Sequence, residues 1–587
     1  MKTEQLKSNL FGIIFLLIIF MLSCSGNKLD DDTVAFVGKD KISTDDLILN
    51  YELFPNWASS KKGEAALRAH LDLMIQKKLY AREGRRQGYE NDPQVTKSVA
   101  WFENEELRKA LYRSEIEKSI QISEPDLLAA YYKNNLQLHV RHLFARTEDQ
   151  IKSIQQALGN GVPWEEIARA TFRDSMLANN SGDLGWLGFG EMEETFEDSA
   201  FAQRIGQISQ PVRTRYGYHL IQVTNVRQNI LMSQDDFETK KPALQKTLFN
   251  REEKKRSAEF IKTFMAEKNV QMINKTFDFL VAKIRDQVID SRSDAKMFQR
   301  AMDDLELDNL SLGINAYKDE VLITYDGGKW TIGDFLEKLQ NLPASERPRM
   351  DSPSKFRHDL GIMIRDDFLT REAKRRRLEK DPLVQKEVKR WEDDYIFSRL
   401  WQTIQDTLTI SDEQAKSFFE KHQARYWLPE RVRVQEILVR TRSEADQIVK
   451  RIKTGTDFTQ LSQQHSLRKT ASNQAGDLGW ISRGQMGNIS VVAYQLKKGE
   501  ISAPIQVEGG FSVIKISEKE NQRNKTFNEA KSEVMADVRR QMSGAVYNEW
   551  VERLQSKTKI QINDSLLVKL GKQHATEKRV VMPGIQF

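Results

Sequence analysis

The sequence predicts an α+β protein of two tandem units, each a helical body interrupted by a small module that opens and closes on a strand. Three observations carry this reading. First, residues 138–223 and 432–516 are two copies of one module. Val140-Arg-His-Leu-Phe-Ala, Gly182-Asp-Leu-Gly-Trp and Gly217-Tyr-His-Leu-Ile-Gln-Val in the first answer to Val434-Gln-Glu-Ile-Leu-Val, Gly476-Asp-Leu-Gly-Trp and Gly510-Phe-Ser-Val-Ile-Lys-Ile in the second. Second, the repeat extends beyond the modules. The offset between the copies stays between 288 and 294 over about 33–285 and 318–570, which marks tandem duplication. Third, apolar residues recur at helical spacing on both sides of each module, with Lys, Arg and Glu between them.

The elements follow in chain order. Ala35-Phe-Val-Gly-Lys-Asp-Lys-Ile-Ser-Thr-Asp-Asp-Leu47 matches Ile323-Thr-Tyr-Asp-Gly-Gly-Lys-Trp-Thr-Ile-Gly-Asp-Phe335; each reads as a strand, a turn, a short strand and a helix start. Ser43 with Asp46, and Thr331 with Asp334, have the pattern of helix caps, a hydroxyl accepting an orphan N–H and an acid in the positive first turn. Leu71–Tyr80 parallels Leu360–Leu369, Asp92-Pro93 parallels Asp381-Pro382, and Trp101 parallels Trp391. Ile122-Ser-Glu-Pro125 and Ile410-Ser-Asp412 open the helices that lead into the modules, with Pro125 at a tolerated early position. A charged helix follows each module, at 234–267 and 526–556, and then a short strand, Val270–Asn274 and Ile560–Asn563. The early strands and the late strand of one unit are expected to pair and close that unit's body. The segmentation is 33–135, 136–227 and 228–285 for the first copy, a polar spacer at 286–317, then 318–428, 429–520 and 521–570 for the second, and a tail at 571–587.

Before the first unit, Lys2 and Lys7 precede an apolar run from Leu10 to Leu22, followed by Ser23-Cys24-Ser25. Thirteen apolar residues suit a signal peptide and fall short of the roughly 20 needed to span a bilayer. The small residue before Cys24 resembles a bacterial lipoprotein signal (1–23), with Cys24 as the acylated residue and 24–32 as a tether; an uncleaved anchor is the alternative. Cys24 is the only cysteine, so no intrachain disulfide is possible. The net charge is +6, from 90 basic and 84 acidic residues, and no nucleic-acid motif accompanies it. There is no P-loop, HExxH, cysteine pair or GxSxG, and no histidine spacing suggests a metal site.

The module resembles the parvulin-type (PpiC-like) peptidyl-prolyl isomerase family, and the whole chain resembles SurA- or PrsA-type foldases. The motifs quoted above carry this resemblance, together with Glu165–Arg169, Gly188-Phe-Gly-Glu-Met192, Phe196–Phe201 and Gly206–Pro211. It implies a four-stranded antiparallel sheet with flanking helices, set into a chaperone-like helical body. It implies cis/trans isomerisation of X–Pro bonds without metal or cofactor. The partners implied are unfolded or nascent exported proteins with X–Pro bonds, and a membrane reached through the N-terminal lipid. The outer membrane's periplasmic face is the favoured location, with the inner membrane or the cell surface as alternatives.

Residue by residue, Met192 and Phe196 match the family's proline pocket, with Leu184 as an added wall. His142 and His219 match its paired histidines, Thr214 a threonine that bonds one of them, and Asp174 its cysteine-or-aspartate position. His139, at odd spacing from His142, faces the other way on a strand. The second copy departs at each polar position: Glu436 for His142, Arg468 for Asp174, Val507 for Thr214 and Ser512 for His219. Met486 stands opposite Met192, and Ile489 or Ser490 opposite Phe196. Glu436 and Arg468 are placed to form a salt bridge across an inactive pocket. The expected division of labour is chemistry in the first module, and peptide binding by the second module and the helical bodies. The alternative is a non-catalytic holdase or scaffold that uses both modules only to bind peptides.

Overall fold

A computed structural model describes residues 30–54, 56–229, 232–290, 301–349, 352–468 and 476–574. Signal segment 1–23 and Cys24 lie outside them. No helix among the described residues is long and apolar enough to cross a membrane.

Both modules form a four-stranded antiparallel sheet. In the first, the strand order is Asp183–Leu187, Leu136–Ala145, Gly217–Gln228, Val212–Thr214. In the second it is Asp477–Ser482, Arg431–Val439, Gly510–Glu520, Ile505–Val507. The long central strands carry period-two patterning that splits the core. In the first module, Leu138 and Val140 pack with Phe196 on one face, and Leu143 and Ala145 pack with Ile151, Trp164 and Ile167 on the other.

The described chain, modules included, divides into two compact units, one comprising residues up to Gln87 with those from Ile396, the other Gly88–Tyr395. Here the expected pairing is corrected. In the first unit, strand Thr33–Val37 joins Asp40–Ser43 on one side and Ile560–Ile562 on the other, with Ala35 opposite Ile562 and Val37 opposite Ile560. In the second unit, Gln271–Met272 pairs with Val321–Tyr325, Met272 opposite Ile323. Each late strand therefore closes the other copy's early hairpin. The two late strands have nearly the same pattern, Val270-Gln-Met-Ile and Ile560-Gln-Ile, and the two hairpins offer nearly the same edge. Side-chain patterning cannot distinguish a strand from its duplicate, so connectivity decides.

The predicted caps form full capping boxes at Ser43 with Asp46 and Thr331 with Asp334. The spacer needs a second correction. Residues Asp304–Gly313 form a helix, capped by Asp303, and Leu307 and Leu310 are buried in one core with Phe277, Trp330 and Phe335. The polar surface of this segment hid an apolar stripe at i, i+3. The predicted tail begins inside a helix, Asp564–Gln573. In the second unit the duplicated tryptophans meet: Trp391 stacks on Phe102 at 4.3 Å, lies 5.7 Å from Trp101, and donates its indole N–H to Ser98 Oγ at 3.0 Å.

Candidate functional site

The central strands of the first module are registered with His142 opposite Ile221 and Phe144 opposite His219. The two histidines are thus diagonal neighbours on one sheet face, within reach of each other. Their Nδ1 atoms lie 3.1 Å apart and share a hydrogen bond, with the rings nearly parallel at 17°. His219 Nε2 pairs with Thr214 Oγ1 at 2.9 Å. Thr214 is held in turn because its hydroxyl oxygen accepts the Tyr216 N–H. Burial pushes both rings down to about 4, His142 further opposed by its neighbour and His219 partly relieved by Glu193. Near neutral pH both are uncharged, so one Nδ1 donates and the other accepts. The second nitrogen of His142, Nε2, is buried with no hydrogen-bond partner among the described residues.

Aromatic rings box the pair. Phe196, 1% exposed, meets His219 edge-on at 5.3 Å and His142 at 5.9 Å. Phe144 lies 5.2 Å from His219, and Phe172 lies 5.3 Å from His142. Met192 and Leu184 pack on the Phe196 cluster while remaining partly open. The structure therefore gathers His142, His219, Thr214, Phe196, Met192 and Leu184 as anticipated. Beside them a cavity of about 580 Å³ runs past Phe144 and Phe172 to Arg146 and Arg173. Gly182 has no room for a side chain: its φ is +72°, and a Cβ would collide with the His142 carbonyl oxygen.

Asp174 is placed differently. It caps the helix Ser175–Asn179, its Oδ1 accepting the N–H groups of Met176 and Leu177 at 2.9 and 3.0 Å. Neither His142 nitrogen is bonded to it. His139 does face the opposite side, where it bonds Thr224 Oγ1 and packs against Trp186 at 5.0 Å.

Three contributors were not singled out from sequence. Phe144 follows His142 by two residues on the same strand face, a signal that alternation alone offered. Phe172 closes over His142 from a loop, where no periodicity points. Glu197, 2% exposed, pairs with Arg251 at 2.6 Å and accepts the Gly190 N–H at 2.7 Å, which fixes the loop that carries Met192.

The second module repeats the register with Glu436 opposite Ile514 and Leu438 opposite Ser512. Glu436, 1% exposed, accepts from Arg468 Nε and from Ser512 Oγ, each at 2.6 Å. The expected salt bridge is present. Gly484 donates to Ser490 Oγ as Gly190 does to Glu197. Ser490 is therefore the counterpart of Glu197, and buried Ile489 the counterpart of Phe196. Met486 is 39% exposed and lies outside the core of its module. His465 bonds Arg451 Nη1 at 3.0 Å on the surface.

A family profile described as "PPIC-type PPIASE domain" matches residues 141–225, and a second profile of the same description matches 410–532. The foldase protein PrsA of Oceanobacillus iheyensis is 29% identical over 188 residues, 31% of this chain and 63% of that protein. PrsA of a Geobacillus species is 34% identical over 132 residues, 22% of this chain and 48% of that protein. A putative peptidyl-prolyl cis-trans isomerase, Cbf2, of Campylobacter jejuni is 31% identical over 159 residues, 26% of this chain and 58% of that protein. The matched region is thus less than two thirds of each relative's length. Among solved structures, a SurA-like chaperone of Campylobacter jejuni is similar at 23% identity and a TM-score of 0.22, covering 45% of this chain and 96% of its own. PrsA of Bacillus anthracis is similar at 22% identity and a TM-score of 0.20, covering 33% of this chain and 96% of its own.

Proposed function

We propose that this chain, with its two parvulin-type domains, is an extracytoplasmic peptidyl-prolyl cis/trans isomerase and chaperone, with catalysis in the first module and client binding by the second module and the helical bodies. One observation carries the assignment: the buried, neutral His142–His219–Thr214 set against Phe196 in one copy, and its replacement by Glu436–Arg468–Ser512 in the other.

The chemistry is modest in its demands. Rotation about an X–Pro bond is slow because amide resonance sets a barrier of about 18–20 kcal/mol. The twisted transition state loses that resonance, and its carbonyl is less charge-separated. An apolar pocket made by Leu184, Met192 and Phe196 favours this less polar state and spends the ring's binding energy on the twist. Neutral imidazoles suit such a site, since a charged ring would favour the planar, more polar amide. Their shared hydrogen bond fixes ring orientation, and the unpartnered His142 Nε2 leaves polar capacity beside the pocket. Asp174 acts at longer range, electrostatically, and also as a cap.

Cys24 would carry the lipid that tethers the protein to the periplasmic face of an envelope membrane. A similar protein of Haemophilus ducreyi is named a periplasmic chaperone, PpiD, in keeping with this location. Metabolic labelling with a fatty acid would tag the wild type and spare Cys24→Ser; equal labelling overturns the anchor.

A proline-isomerisation assay on a tetrapeptide tests the enzyme assignment. The full chain should exceed background, and His142→Ala should fall sharply. A wild type that matches background removes the catalytic half and leaves a peptide-capturing chaperone. In that case suppression of aggregation should survive loss of both Met192 and Phe196.

A further inference from the structure

The helices Gly63–Arg86 and Phe527–Lys557 and the strand Ile560–Ile562, all in one unit, enclose a groove of about 470 Å³. Its walls come from consecutive turns. Asp72 and Ile75 lie three residues apart on one helix, Val551 and Glu552 share a face of the other, and Ile560 and Ile562 project from the same side of the strand. The floor is therefore aliphatic, and the rim is polar, with Gln76, Asn548 and Gln555 beside the two carboxylates. Neither Asp72 nor Glu552 forms an ion pair among the described residues, and no lysine or arginine lines the groove. Arg68, the nearest cation along the helix, is engaged by Glu64 and Asp564. Partial burial raises the Asp72 carboxyl above its ordinary value and outweighs Arg68 and Lys61.

The duplicate sets this groove apart. Glu549-Trp-Val-Glu-Arg-Leu-Gln555 aligns with Glu259-Phe-Ile-Lys-Thr-Phe-Met265, so Glu552 corresponds to Lys262. On the other wall Asp72 corresponds to Gly361 and Gln76 to Arg365. The aliphatic positions persist: Ile75 as Ile364, Val551 as Ile261, Ile560 as Val270. The apolar scaffold is common to both repeats, whereas both carboxylates belong to one; in the other, Lys262 stands for Glu552, Gly361 for Asp72, and a second cation, Arg365, for the neighbouring Gln76. Packing alone explains the first pattern and does not explain the second.

We infer that this groove is a docking site for a lysine- or arginine-bearing extended segment of an unfolded client. The methylene stem of such a side chain would lie on Ile75, Val551, Ile560 and Ile562, and its cationic head would reach Asp72 and Glu552. A small inorganic cation would gain nothing from the aliphatic floor, and an acidic segment would be repelled at the rim. With a net charge of +6 the chain as a whole does not attract basic peptides, so the attraction is local to this groove. Half-buried Tyr547 donates to Gln76 Oε1 at 2.9 Å and ties the two helical walls of the groove together. The site lies outside both modules; it rests on the client-binding half of the proposed function and is independent of the isomerase half.

Fluorescence anisotropy on the full chain tests it, with two labelled peptides that lack proline: alternating Leu-Arg, and the same with Glu for Arg. The Arg peptide should bind at least tenfold more tightly and weaken as salt rises. Asp72→Asn with Glu552→Gln should weaken it at least fivefold and flatten the salt dependence, while isomerisation by the same sample is unchanged. Gln76→Lys, which imports a cation to the wall, should do the same if the double variant fails to fold. Equal binding of the two peptides, or unchanged binding by a folded variant, overturns the site. Because isomerisation is read on the same preparations, loss of the enzyme assignment would register separately.

Discussion

The two modules place different chemistry on the same diagonal of the same sheet. In the first, strand register puts His142 beside His219; in the second, it puts Glu436 beside Ser512. Both positions are buried, so whatever stands there must find partners or remain unsatisfied. The second module satisfies Glu436 through Arg468 and Ser512, one to each oxygen. The first leaves His142 Nε2 without a partner, a deficit of about 1–3 kcal/mol in a folded protein. The comparison teaches where binding capacity is kept. One copy uses its polar groups to complete itself, and the other holds one in reserve beside an apolar pocket.

This contrast can be broken most forcefully at the pocket. Replacing Met192 and Phe196 with Ala should lower kcat/KM for a proline peptide by about 100-fold, ~2.7 kcal/mol of lost transition-state binding. Met486→Ala in the second module should leave that value unchanged. An equal loss from both would place catalysis in both copies.

The next effect is on stability. Glu436→Leu strands Arg468 beside a buried site and should destabilise the second module by about 2–3 kcal/mol, below the usual cost of breaking a buried pair because Arg468 reaches solvent. Leu at both positions should recover much of the loss, as read by denaturant unfolding. If the double replacement is worse than the single, the pair is not the device that completes the pocket.

Acid separates the copies in a different way. The folded rings of His142 and His219 take up protons only near 4, whereas unfolded histidine does so near 6.5. Between these values the unfolded state binds more protons, so the first module should lose stability as pH falls through that window and level off below it. The second module has Glu436 and Ser512 at these positions, so this histidine contribution is absent from it. Thermal melts of the two modules' signals between pH 7 and 4 would show the divergence; parallel curves would contradict the neutral pair.

Two smaller changes sharpen the roles inside the active copy. Asp174→Ala removes a helix cap worth about 1 kcal/mol and should lower activity several-fold if the carboxylate also acts on the site. Asp174→Asn keeps the cap and isolates the charge. Thr214→Val imitates Val507 and should reduce activity by a few-fold through a loosened His219, with no change in peptide affinity.

Much of this was legible before any coordinates. The opposite facing of His139 and the paired caps follow from residue spacing, because strand periodicity and short-range capping are local rules; the histidine pair and the Glu436–Arg468 bridge are implied by the family resemblance and the alignment of the two copies. Other features depend on distant parts of the chain. Phe172 and the Glu197–Arg251 pair reach the site from a loop and from a helix 54 residues further on. The choice between Ile489 and Ser490 rested on a one-residue gap, which a hydrogen bond to Gly484 resolved. The exchange of closing strands had no local signature at all, since duplicate strands look alike to any edge they might join.

That exchange governs the order in which the chain can be completed. Everything the unit Gly88–Tyr395 needs is contiguous, including Gln271–Met272 and the hairpin it closes. The other unit must hold Thr33–Val37 open until Ile560–Ile562 has been synthesised. Its first strand therefore keeps a bare edge until the chain is nearly complete, and a product that ends between residues 395 and 560 has its contiguous unit whole and its other unit unable to close.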